Sequence, residues 1–273
     1  MKKLKNIAVA VSLVVLGIAV SSRIVNAQES ETFDFARAYE DYVFTLDTYN
    51  DAHSEYVLAR AQFLQAGTLV SQTKARESTA AMLIARDNVV ITYLTALRLR
   101  LAEAENVSDG TKQGLYNRMD SEIDWYQNHR DRISSAGSLS DLVSDSKEAE
   151  SRFKTVQSVA YEVLVTIPTG KVGVLRSQLD SNVDAVRAKI SEIRASGSNF
   201  DVSLIDRWTL EIDNKIVRSL DKEIEAQTQS ASLFKTPGLN SYNSVIFKLQ
   251  ESLQFMREGN DFMKEIIRTL RST

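Results

Sequence analysis

The sequence predicts an all-α protein, an elongated up-and-down bundle of about six long helices with coiled-coil-like packing. Turn formers are scarce: 273 residues include two prolines and ten glycines, too few for a protein built from many short strands. Apolar residues recur at alternating spacings of three and four along much of the chain, the period of a helix seam. Cysteine is absent while 43% of the residues are hydrophobic, so packing rather than disulfide bridging must hold the fold.

The first element is a targeting segment. Lys2, Lys3 and Lys5 precede an apolar run from Ile7 to Val20, and Val25 and Ala27 offer an A-x-A-like cleavage point before Gln28. Residues 1–27 therefore read as a signal peptide. The run is short for a membrane span of about 20 residues, yet Arg23 sits awkwardly in the cleavage region, so an uncleaved N-terminal anchor is the alternative. Residues 28–273 form the all-helical domain, with a subdivision near 137 left open. Removing the leader leaves 29 Lys+Arg against 36 Asp+Glu, a net charge of about −7. With no lysine- or arginine-rich block, nucleic acid is not an expected partner.

Helices are expected near 33–66, 71–107, 109–136, 140–196, 203–235 and 241–271. Gly67, Gly110, Gly137, Gly197 and Gly238 stand where apolar periodicity stops, as C-terminal caps do. Ser71, Ser108, Ser138 or Ser140, Ser203 and Asn240 or Ser241 are the expected start signals, Ser203 with Asp206 resembling a capping box. In the first helix Phe35, Tyr39, Tyr42, Leu46, Tyr49, His53, Tyr56, Arg60 and Phe63 keep strict heptad spacing, while Asp47, Asp51 and Glu55 fall outside it. The four tyrosines of this row should pack a helix–helix seam rather than stack sugars. Two apolar rows on the second helix, through Met82, Val89 and Tyr93 and through Leu83, Val90 and Leu97, place it centrally.

The fourth helix is expected to kink or break near Pro168, where the apolar rhythm restarts one position out of phase. A β-hairpin around 160–175 is the competing reading, because β-branched residues alternate there about a Pro-Thr-Gly-Lys turn. The last helix repeats a seam through Val245, Leu249, Met256, Met263 and Ile266.

No residue is assigned a catalytic, cofactor-binding or metal-ligating role, and no cofactor is expected. Cysteine chemistry is excluded outright. The two histidines, His53 and His129, lack the Glu-x-x-His spacing of a di-iron bundle. No nucleophile elbow, zinc helix motif or phosphate-cradling glycine loop is present. Neighbouring acids such as Asp120, Glu122 and Asp124 are what an acidic helical protein supplies by chance. The functional expectation is a non-enzymatic, secreted or periplasmic helical bundle with a structural, scaffolding or binding role at the cell envelope. Its partner would be a protein or another envelope component, self-association into a homo-oligomer is open, and membrane contact would come only through an uncleaved N-terminus. The alternative is a membrane-active, pore-forming-like protein using the apolar 156–175 segment.

Overall fold

Sharp turns and one very long helix set the architecture in the computed structural model, which describes residues 33–196 and 201–271. Its helices are α1 (Phe35–Ala66), α2 (Leu69–Ala102), α3 (Asp109–Ile133), α4 (Leu139–Ala195), α5 (Ser203–Lys235) and α6 (Leu239–Arg271), with no strand among the described residues. The fold is an all-α helical bundle. Residues 1–27, the expected signal peptide, and Gly197 lie outside the described residues.

Local chemistry explains the helix ends. Gly67 takes φ 60° and its N–H returns to the Phe63 carbonyl, closing α1 in the left-handed conformation that glycine adopts at least cost. Thr68 then caps α2 through a reciprocal box with Ser71, which starts the helix three residues earlier than Ser71 as a cap would. Of the other expected glycine caps, Gly110 lies inside α3, and Gly137 and Gly238 have no positive φ. Asn106 supplies the left-handed residue between α2 and α3 instead, at φ 52°. Ser108 and Ser138 cap α3 and α4 as their sequences predict. Ser203 does not cap α5; the Asp201 carboxylate accepts from its backbone N–H, and Asp206 pairs with Arg194.

Each of the first four helices runs antiparallel to the one before. The Thr45 and Thr92 hydroxyls meet at 2.7 Å across α1 and α2. Arg98 and Asp120 join α2 to α3 at 2.9 Å, and Tyr126 donates to the Ala149 carbonyl across α3 and α4 at 3.1 Å. α4 is 57 residues long, about 86 Å at 1.5 Å per residue. Its first half packs on α2 and α3; its second half packs on α5 and α6, which form an antiparallel pair. Leu179, Val183, Val186 and Ile190 of α4 share the distal core with Ile205 and Ile212 of α5 and Met256, Met263 and Ile266 of α6.

α4 is helical without interruption through Pro168, as the periodicity on both sides predicts; the helix is not broken there and the competing β-hairpin does not form. The cause is tertiary. Val156, Val159, Ala160, Tyr161, Val163, Leu164, Val165 and Val172 are all buried, because both helical packs overlap along this stretch. That belt holds the helix past its missing N–H, and it accounts for the apolar composition of 156–175.

Candidate functional site

The tyrosine row folds inward, as its spacing predicts. Tyr42 and Tyr49 are buried against α2, Tyr39 and Tyr56 half-buried. Two ring ladders result, Phe35–Tyr39–Tyr42 and Tyr49–His53–Tyr56, with centroids about 6 Å apart. Tyr42 continues onto Tyr93 of α2 at 5.4 Å, and Tyr161 of α4 meets Tyr242 of α6 at 5.2 Å. Burial holds the phenols of Tyr42, Tyr49, Tyr93, Tyr161 and Tyr242 above the ordinary tyrosine range. These rings fill space between helices. His53 finds rings rather than an acid, and Arg60 is exposed. Asp47, Asp51 and Glu55 face solvent. The neighbouring acids on α3 diverge: Asp120 pairs with Arg98, Glu122 is clasped by both nitrogen arms of Arg152 at 2.6 and 2.7 Å, and Asp124 is exposed.

One polar cluster escaped the motif search. Asp87 of α2 and His129 of α3 are completely buried, with His129 Nδ1 2.5 Å from Asp87 Oδ2 and Nε2 3.1 Å from the Asp145 carbonyl. Arg86 closes on the other carboxylate oxygen at 3.3 Å, and Trp125 stacks on the imidazole at an interplanar angle of 13°. A sequence signal existed. Leu115, Met119, Glu122, Tyr126, His129 and Ile133 form one heptad row, so two polar residues stand where the core lies. His129, Asp145 and Glu148 also bring three possible metal-ligand atoms within 4.8 Å of one another. Both His129 nitrogens already have partners, however, so a metal would have to displace the Asp145 carbonyl. The cluster is built as a polar clamp among α2, α3 and α4.

An open groove lies where the chain between α2 and α3 crosses α4. It holds about 650 Å³. Its floor is Gly170 and Gly173: a Cβ at Gly170 would collide with the Glu105 carbonyl oxygen, and one at Gly173 with the Asn106 amide. Asn106 Nδ2 donates to the Gly170 carbonyl, which fixes the crossing. Arg176 and Glu223 pair on one wall, and burial raises the Glu223 carboxyl above its usual range while Arg176 opposes the shift.

The other wall is α5, and it extends the surface well beyond the groove. α5 buries Ile205, Ile212, Ser219, Ala226 and Leu233 on its inner face. A second row at the same seven-residue spacing stays outside: Leu210 is 61% exposed, Val217 58% and Ile224 53%, with Leu220 beside them. Leu220, Ile224 and Phe234 then line the groove itself. The bundle covers one of these two rows and leaves the other exposed. By length and composition α2 and α4 also qualify as candidate membrane spans, although 56% and 50% of the qualifying windows are buried in the fold. Comparison with protein-family models, with curated proteins and with solved structures finds no match to this chain.

Proposed function

We propose that this chain is a non-enzymatic, extracytoplasmic helical-bundle protein with a structural, scaffolding or binding role at the cell envelope, and that it holds a partner helix along the outer row of α5. The outward heptad row of Leu210, Val217 and Ile224 carries this reading. An amphipathic partner would lay its apolar face on that row and enter the groove beside Gly170, a helix-in-groove mode of recognition. The 57-residue α4 suits a spacer, since it joins two helical packs along a single axis. Export rests on the basic, apolar and small-residue parts of the leader.

A photo-crosslinking residue placed at Val217 in the native envelope tests the reading. One specific adduct is expected, and Leu210→Glu with Ile224→Glu should abolish it without loss of helicity. No adduct, or one indifferent to those substitutions, refutes it. The membrane-active alternative draws on the length and apolarity of α4. It predicts dye release from liposomes, whereas the partner-binding reading predicts none.

A further inference from the structure

α4 and α6 run parallel, from the Tyr161–Tyr242 contact to the core they share at Ile190 and Ile266. Between them, on a surface separate from the groove at Gly170, lies a second groove of about 400 Å³. Leu175, Leu179, Leu253 and Met256 line it, with Lys171 and Arg257 as its charged groups and no acid. In a chain of net charge −3 that is a local reversal of sign. Four other cations of α4 beyond Pro168 have carboxylate partners: Arg176 with Glu223, Arg187 with Asp213, Lys189 with Glu192 and Arg194 with Asp206. On α6, Lys248, Lys264 and Arg268 are paired as well. Lys171 and Arg257 have no acidic partner among the described residues.

The complementary surface is on the same chain. The outer face of α1 presents Phe44, Asp47, Asp51, Glu55 and Leu58 as one helical row, all exposed, with Phe44 73% accessible. Acids occupy its middle and an apolar side chain stands at each end. Arg37 holds Glu40 and Asp41, but Asp47, Asp51 and Glu55 have no cationic partner among the described residues. The spacing also agrees. Gly259 lies level with Leu179, since a Cβ there would meet Leu179 Cδ2 at 2.9 Å. Lys171 and Arg257 are therefore separated by about 9 Å along the helices, against about 12 Å between Asp47 and Glu55 on α1.

We infer that the α1 outer face of one copy docks into the α4–α6 groove of a second copy. Acids 47, 51 and 55 meet Lys171 and Arg257. The two surfaces differ, so the contact is heterologous and repeats head to tail into an open chain of copies. This goes beyond the α5 surface, which it leaves free.

Charge reversal on each surface separately provides the test, read by static light scattering of the whole chain over a concentration series in about 0.1 M salt. The wild type is expected to rise in mass through successive multiples of one chain, and about 1 M salt should return it to one chain, the Debye length falling to about 3 Å. Lys171→Glu with Arg257→Glu, and Asp47→Lys with Asp51→Lys, should each stay at one chain. Mixed in equal amounts they should assemble again, through the two-chain species, because each supplies the surface that the other lacks and the two reversed surfaces attract one another. If a reversed variant loses helicity, the alanine pair at the same positions is read in its place. Leu210→Glu with Ile224→Glu should leave assembly unchanged, which separates this contact from the α5 reading. A wild type that stays at one chain overturns the inference, even if the groove binds vesicles of anionic phospholipid instead. So does a mixture of the two variants that fails to form the two-chain species.

Discussion

Gly170 and Gly114 show how one residue type serves opposite ends. At Gly170 the α2–α3 connection passes so close that a methyl group has nowhere to go, whereas a Cβ at Gly114 of α3 would meet nothing within 4 Å. Gly170→Ala should therefore destabilise the protein by about 1–3 kcal/mol through overpacking. Gly114→Ala should instead stabilise it by about 0.5–1 kcal/mol, since alanine loses less backbone freedom in a helix. Denaturant melts of the two variants check the opposite signs. Asp87 poses a different kind of risk. It is fully buried between Arg86 and His129, so Asp87→Ala leaves two donors without an acceptor and should cost about 3–5 kcal/mol. A double-mutant cycle with His129→Ala should show strong coupling; additive effects would mean that the two side chains act independently. Sequence placed His129 on a helix and gave it no partner. Its partner lies 42 positions away, and only folding brings them together.

At the scale of elements, α4 chooses between the competing readings of the sequence around Pro168. Proline in a helix interior removes a hydrogen bond and costs about 3 kcal/mol, which is why a break is expected from the sequence. Packing on both sides of Pro168 outweighs that cost. The chain has no native cysteine, so spin labels can be placed cleanly at exposed Glu150 and Lys189. A continuous helix puts these positions about 58 Å apart, and a dipolar distance measurement should return one narrow peak near that value. A markedly shorter or bimodal distance would mean that α4 is broken at Pro168. The same element scale explains the glycine caps. Local spacing marks where a helix stops, but the left-handed residue that turns the chain was Asn106 rather than Gly110. Either can adopt that conformation, so composition alone does not choose between them.

Across the whole molecule, tyrosines mark the place where the two helical packs overlap. Tyr42 and Tyr93 meet there, as do Tyr161 and Tyr242, one ring from each of α1, α2, α4 and α6. Folded, these phenols are held above their ordinary value of 10.0 by burial; unfolded, they ionise at that value. The unfolded state thus loses protons first. The stabilising contribution is complete below about pH 10 and disappears as pH rises through the folded values. Denaturant midpoints measured from pH 8 to 12 should fall beyond pH 10, together with a delayed tyrosinate absorbance. A normal titration of all nine tyrosines in the folded protein would contradict the buried junction.

Helix number, helix positions to within a few residues and the inward direction of the tyrosine row were determined by the sequence itself, because periodicity and capping are local properties. Tertiary structure alone decided between helix and hairpin around Pro168, brought Asp87 to His129, and left a second apolar row of α5 exposed. Those outcomes depend on which surfaces meet across long separations in the chain. A repeating pattern of threes and fours states that a face will be buried, but it does not name what will cover it.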